Sequence, residues 1–177
     1  GLCLASQMDF HTAAMIANAA AGIVVGKAGT STVSSRELVD SLSPPVKNKV
    51  LDPQSLDEHV RWWRMQQKRI VFTNGCFDLL HVGHLHILNA AAAQGDVLIV
   101  GLNTDDSIAR LKGPERPLIG EHERAALLAA FDCVDAVVLF DEDTPVNLIR
   151  AIKPDILVKG SDYRMDQVVG KEVVEAQ

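Results

Sequence analysis

The stretch FTNGCFDLLHVGH, residues 72–84, places two histidines, two glycines and an acidic residue between an apolar run and a helix-like one. A core would favour leucine at such positions, so the choice of residues points to a surface rich in donors. His81 and His84 are three apart and, on the first turn of a helix, project from about the same face. Gly75 permits an unusual backbone angle and close approach of a ligand, while Gly83 thins the helix start so that phosphate reaches its amide N–H groups. The chemistry this suits is the grip of a nucleotide's phosphates by imidazoles and a helix N-terminus together. The same pair with His86 nearby could ligate a metal, but zinc needs a third ligand of suitable geometry and paired helical histidines are commonly four apart. No protein metal site is assigned.

The elements that must position this stretch follow from periodicity. The runs RIVFT, DVLIVGL, DAVVLF and DILVKG are short and rich in Val and Ile, and segments of helical periodicity at 83–94, 104–111, 120–131 and 144–152 separate or follow them. That alternation predicts an α/β fold with a parallel sheet covered on both faces, in three layers, whose ligands sit beyond the carboxyl ends of the strands. Before it, LDEHVRWWRMQQKR reads as a helix with Leu56, Val60 and Trp63 on one side, and the Trp62–Trp63 pair as packing against the sheet. Residues 43–55, SPPVKNKVLDPQS, carry three prolines and read as a linker. The expected organisation is an N-terminal piece 1–42, a linker 43–55 and an α/β domain 56–177. Within the first piece, an alanine-rich helix from Thr12 to about Gly22 precedes SSRELVDSL, a short helix capped by Ser34 or Ser35.

Composition narrows the partners. Hydrophobic residues make up 47% of the 177 and charged residues 23%, which is the balance of a folded, soluble chain. A formal charge of −6 leaves no electrostatic footprint for bulk nucleic acid or an anionic membrane, so the expected partner is small and held by local donors. Cys3, Cys76 and Cys133 are widely spaced and never form C-x-x-C, which argues against a disulfide framework or cysteine zinc site and for a reducing, cytoplasmic setting. The apolar stretch AAMIANAAAGIVVG is too interrupted for a secretory signal or membrane span. The chain opens without Met and closes inside an amphipathic segment, as a piece of something longer would.

GCFDLLHVGH resembles the G-x-F-D-x-x-H-x-G-H signature of the nucleotidyltransferase superfamily, which includes cytidylyltransferases. With GLNTDDS, KGPERPL, HERAALL and VKGSDY in this order, residues 69–177 are similar to the adenylyltransferase domains of bifunctional heptose-phosphate kinase/adenylyltransferases. AAMIANAAAGIVVGKAGTSTVSSREL resembles the closing segment of their ribokinase-like sugar kinase; the kinase's glycine-rich catalytic motif is missing, so no kinase activity is expected. The resemblance implies a Rossmann-like nucleotidyltransferase fold, here expected to stop before its last strand and a Ser/Thr-rich helix start, which would leave the nucleotide site incomplete. It implies transfer of AMP from ATP, with Mg²⁺, to heptose 1-phosphate for the lipopolysaccharide core, and commonly a homo-oligomer. Alternatives are a cytidylyltransferase acting on glycerol phosphate or a related alcohol phosphate, and a non-catalytic nucleotide-binding or assembly module.

Attack of a phosphate oxygen on an α-phosphorus needs alignment and charge stabilisation rather than a nucleophilic side chain. His81 and His84 are the expected phosphate donors, with Asn74, Gly75, Cys76, Phe77 and Gly83 around the nucleotide. Lys112, in the loop LKGPERP, is the candidate mobile cation. Arg124 sits at a helix start, unfavourable for a cation without an anion nearby, and by resemblance aligns with an arginine that contacts phosphate or substrate. Lys159, Gly160, Asp162 and Tyr163 follow the fourth run and by resemblance border the nucleotide and sugar pockets. Thr104, Asp105 and Arg116 are candidate substrate contacts; Asp105 could instead cap the next helix, and Asp78 could instead organise its turn. Cys76 reads as a packing residue, and His59, His86 and His122 as surface histidines.

Overall fold

The Val- and Ile-rich runs form a parallel sheet because each is apolar on both faces and each is followed by a helix that covers one of them. The structure, a computed structural model, describes residues 8–27, 29, 31–42, 48–160 and 169–175. The chain divides into two compact units, Gly1–Val46 and Lys47–Gln177.

The first unit contains helices α1 (Phe10–Val25) and α2 (Ser35–Leu42), which pack together. Asp9 caps α1 by accepting from the Thr12 N–H at 2.9 Å. A capping box opens α2: Ser34 Oγ accepts from Glu37 N–H at 3.2 Å while Glu37 Oε2 accepts from Ser34 N–H at 2.9 Å. Of the two serines offered by the sequence, Ser34 is the cap.

In the second unit five parallel strands, β1 (Val50–Leu51), β2 (Ile70–Gly75), β3 (Val97–Asn103), β4 (Ala136–Phe140) and β5 (Ile156–Leu157), lie in the order β1-β4-β3-β2-β5. Their alternate side chains build two cores. Ile70, Phe72, Ile99 and Val138 pack under α3 (Pro53–Met65), α7 (Val146–Ile152) and α8 (Lys171–Glu175), while Val71, Leu98, Val100, Leu102 and Val137 pack under α4 (Val82–Ala92) and α6 (Glu121–Ala129). The three-layer expectation holds. A further helix, α5 (Asp105–Lys112), follows β3 and buries Ile108. Among the described residues no helix is long and apolar enough to cross a membrane.

The stretch expected to be a linker, 43–55, contains structure from its middle onward. Val50–Leu51 is an edge strand on β4, Asp52 caps α3 by accepting from Ser55 N–H at 2.8 Å, and Pro53 occupies the first turn, where a missing N–H costs nothing. Proline here opens a helix instead of marking a tether. Residues 43–47 lie outside the described residues. His59, expected at the surface, is buried: its Nδ1 is 2.7 Å from Ser55 O and its ring lies 5.6 Å from that of Trp63. Trp63 itself packs on the core, as expected.

One device recurs at the amino edge of the sheet. Asp96, Asp135 and Asp155 each lead an apolar run, and each pairs reciprocally with a neighbouring strand. The backbone N–H of Asp96 donates to Arg69 O at 2.9 Å while its carboxylate accepts from Arg69 N–H at 2.8 Å. Asp135 does the same with Leu98 at 3.0 and 2.7 Å, and Asp155 with Ile70 at 2.8 and 2.7 Å. Strand ends otherwise left with orphan donors are satisfied, and the register is pinned. Asp155 also accepts from Arg64 Nη1 at 2.6 Å, which ties α3 to the same corner. Asp155→Ala leaves the N–H of fully buried Ile70 unpaired, and urea denaturation should show a loss of about 1–3 kcal/mol.

Candidate phosphate-binding site

The turn between β2 and α4 is built so that two imidazoles replace the usual helix cap. His81 is the N-cap residue of α4: its Nδ1 accepts from Gly83 N–H at 3.1 Å, and His84 Nδ1 accepts from His81 N–H at 3.3 Å. With both Nδ1 atoms used as acceptors, each ring carries its hydrogen on Nε2, as a donor. The rings stack at 4.0 Å between centroids, and His84 also leans on Phe77 at 5.1 Å. Burial lowers the His84 pKa below its ordinary 6.5, helped by the nearby charges of His81 and Lys112, so this ring is neutral at neutral pH. The folded chain therefore holds fewer protons at His84 than the unfolded chain does just below pH 6.5. Its contribution to stability is present above that value and is lost as pH falls through the lowered one.

Gly83 proves necessary for a different reason from the one expected. A Cβ there would lie 2.9 Å from His81 Nδ1, so glycine makes room for the cap's own ring. At Gly75 a Cβ would meet the Phe77 ring at 3.1 Å; Phe77 turns into the core with a left-handed φ of 47°.

Gly75, Phe77, His81 and His84, though not Gly83, line a cavity of about 1010 Å³ with walls from the carboxyl ends of β2, β3 and β5 and the loop after β4. Asn74, Gly75, Cys76, Phe77, Asp78, His81, His84, Lys112, Arg116, Lys159 and Gly160 all border it, which brings together most of the expected set. Asp162 and Tyr163 lie outside the described residues. Thr73, Asn103, Asp143 and Thr144 also border it and were not foreseen. For Asn103 the signal was its position at the end of a strand run; for Asp143 and Thr144 it was the polar stretch DEDT directly after DAVVLF.

Lys159 donates to Asn74 Oδ1, which joins the ends of β5 and β2, and burial pushes its pKa down to about 8. Asp78 is buried. Burial opposes its ionisation, but the Leu118 N–H at 2.6 Å, Arg116 Nη1 at 2.7 Å and the Ile119 N–H at 3.4 Å outweigh this and hold the carboxyl below its usual range. It organises the loop 116–119 over the cavity, the structural alternative the sequence left open.

Three expectations need correction. Arg124 borders no part of the cavity; it is wholly buried and its guanidinium is spent on the protein. Nε donates to Ile119 O at 2.8 Å, Nη1 to Cys76 O at 2.7 Å and Asn103 O at 2.9 Å, and Nη2 to Asp105 Oδ1 at 2.6 Å. A cation at a helix start does need an anion, and here Asp105 supplies it. Asp105 is accordingly not the cap, and it does not border the cavity. Thr104 is the cap of α5, accepting from Ser107 N–H at 3.2 Å and donating to Asp141 Oδ1 at 2.5 Å. His86 and His122 are exposed, as expected.

Among the described residues no three His, Cys, Asp or Glu side chains gather as metal ligands. Among the described residues the carboxylates on the cavity wall are Asp78, engaged by Arg116 and the Leu118 N–H, and Asp143, engaged by Arg110. Imidazole N–H groups and lysines suit the phosphates of a nucleotide, and a divalent ion that arrives on those phosphates fits this donor set better than a bare one.

A cytidylyltransferase-like family model matches residues 72–176. The chain is 56% identical over 176 residues to the bifunctional protein HldE of Geotalea uraniireducens, covering 98% of this chain and 36% of that protein. It is 55% identical over 181 residues to the HldE of Geobacter sulfurreducens, covering 99% and 36%. The chain thus spans about a third of the length of these relatives. A crystal structure of a lipopolysaccharide core biosynthesis protein from Thermoplasma volcanium superposes with a TM-score of 0.54 at 32% identity, covering 62% of this chain and 88% of that one.

Two outcomes follow from the geometry. Arg124→Leu strands three carbonyls and Asp105, and thermal or urea unfolding should register a loss of about 3–5 kcal/mol. Affinity for tripolyphosphate, read by calorimetry, should fall as pH rises through about 8 while Lys159 loses its charge, and Lys159→Arg should move that fall to higher pH.

Proposed function

The chain belongs to the cytidylyltransferase-like family, and from that premise we propose that it transfers AMP from ATP to D-glycero-β-D-manno-heptose 1-phosphate, yielding ADP-heptose and pyrophosphate for the lipopolysaccharide core. The observation that carries this reading is the imidazole pair. Two Nε2–H groups with fixed tautomers line a cavity that also holds Lys112 and Lys159. The choice of a sugar phosphate as acceptor is supported by the order of the motifs and by the likeness to the bifunctional HldE proteins and to a lipopolysaccharide core biosynthesis protein.

In this reading a phosphate oxygen of the sugar phosphate forms a bond to the α-phosphorus as the bond to the bridging oxygen breaks, and pyrophosphate leaves with that electron pair. His81 and His84 donate hydrogen bonds to the phosphate oxygens as charge shifts toward the leaving group, which costs no reorganisation because the cap holds the rings in place. Lys112, at the exposed end of α5, closes over the same phosphates, and Lys159 with Asn74 holds the opposite wall. Arg124 acts at one remove by fixing the Cys76 carbonyl and hence the turn. A divalent cation such as Mg²⁺ carried in by the nucleotide would supply neutralisation of phosphate charge, beside the donors His81, His84, Lys112 and Lys159.

Pyrophosphate release by the full-length protein should be faster with ATP and heptose 1-phosphate than with CTP and glycerol phosphate; a preference for CTP would overturn the substrate assignment. His84→Ala should lower kcat about 100-fold, the usual effect of removing one preorganised donor. ATP binding unchanged in that variant, together with no pyrophosphate release by the wild-type protein, would instead favour a module that only assembles.

A further inference from the structure

One wall of the cavity consists of Asp143, Thr144 and Pro145, in the loop between β4 and α7. That loop is gripped by a single stripe of α5. Thr104 Oγ1 donates to Asp141 Oδ1 at 2.5 Å, Ser107 Oγ to Glu142 O at 3.3 Å, and Arg110 Nε to Asp143 Oδ1 at 3.2 Å, with Arg110 Nη2 on the carbonyl of Asp141. Positions 104, 107 and 110 are three apart and so share a face of the helix. The next two residues, Leu111 and Lys112, reach the cavity. One short helix thus holds the loop with one side and borders the ligand space with its end.

Stability does not account for this arrangement. The Arg110 side chain is 46% exposed and its carboxylate partners more so, a setting in which ion pairs add little to folding. What the contacts do fix is the placement of a carboxylate on a cavity otherwise supplied with His81, His84, Lys112 and Lys159. A carboxylate repels phosphate. Beside the Thr144 hydroxyl it offers hydrogen-bond acceptors, which is the chemistry that recognises sugar hydroxyls.

We propose that Arg110 is a positioning residue, which holds Asp143 and Thr144 as a subsite for the hydroxyl groups of a sugar. The inference rests on the nucleotidyl-transfer reading, which brings two sugars to the cavity: the ribose of the nucleotide and the acceptor sugar. Arginine suits the task because its planar fork reaches the Asp143 carboxylate and the Asp141 carbonyl at once, which a lysine cannot do.

The test is steady-state kinetics on the full-length protein with Asp143→Asn, Arg110→Met and Arg110→Lys, using ATP, 2′-deoxy-ATP and a sugar 1-phosphate. KM for one sugar-bearing substrate should rise about tenfold in Asp143→Asn and Arg110→Met, the loss expected for one hydrogen bond to a charged group. The melting temperature and kcat should stay near wild type, and Arg110→Lys should recover part of the KM. A rise confined to the acceptor assigns the subsite to the acceptor sugar. A rise in KM for ATP, matched by wild type with 2′-deoxy-ATP, assigns it to ribose. Unchanged KM values for both, or an effect seen only in melting temperature, overturns the proposal while leaving nucleotidyl transfer intact. A wild-type protein that releases no pyrophosphate with any sugar phosphate overturns the transfer reading and the subsite with it.

Discussion

The ligand edge of this fold depends on one buried guanidinium. Arg124 joins the turn after β2, the end of β3, the loop before α6 and the first residue of α5, four pieces of chain that have no other common partner among the described contacts. Burying a charge is expensive unless its hydrogen bonds are met, and here they are met almost wholly by backbone carbonyls. Carbonyls cannot be adjusted by rotating a side chain, so the four segments are held in one relative position. The histidine pair inherits its precision from this: the Cys76 carbonyl that Arg124 holds lies five residues before His81 on the same turn.

The two edges of the sheet are furnished in opposite ways. At the amino edge, Asp96, Asp135 and Asp155 satisfy strand N–H groups and lock the register. At the carboxyl edge the side chains that reach the cavity include His81, His84, Lys112, Arg116 and Lys159. A net charge of −6 does not preclude an anionic ligand, because the described acids lie mainly away from that cavity and Asp78 is neutralised by Arg116.

Much of this was legible in the sequence, for physical reasons that differ by residue. Strands β2 to β5 were visible because burial on both faces demands continuous apolar runs, and the helices between them because their periodicity repeats. The histidine pair was visible because two imidazoles in a tight, glycine-flanked turn suit neither a packed core nor an ordinary solvated surface. Strand β1 was not, since two residues make no pattern and the flanking prolines suggested a tether; yet Asp52 followed by Pro53 was a readable helix start. Arg124 was misjudged because sequence gives its place on a helix and not the direction of its side chain. His59 was misjudged because its burial depends on packing with Trp63 and the core beside it. The role of Arg110 needed three dimensions, since its partners lie more than thirty residues downstream.

The histidine cap has a further effect through the fields of the helices that begin near this edge. Helices α5 and α6 each carry two carboxylates in their first turn, Asp105 with Asp106 and Glu121 with Glu123, which offset the partial positive charge of their dipoles. Helix α4 has no acid there, and its cap is imidazole. Helix α7, which starts beside the cavity wall at Pro145, has no acid in its first turn either. Two positive poles at this edge are thus extinguished from within and two are left lit, where an incoming polyanion meets them.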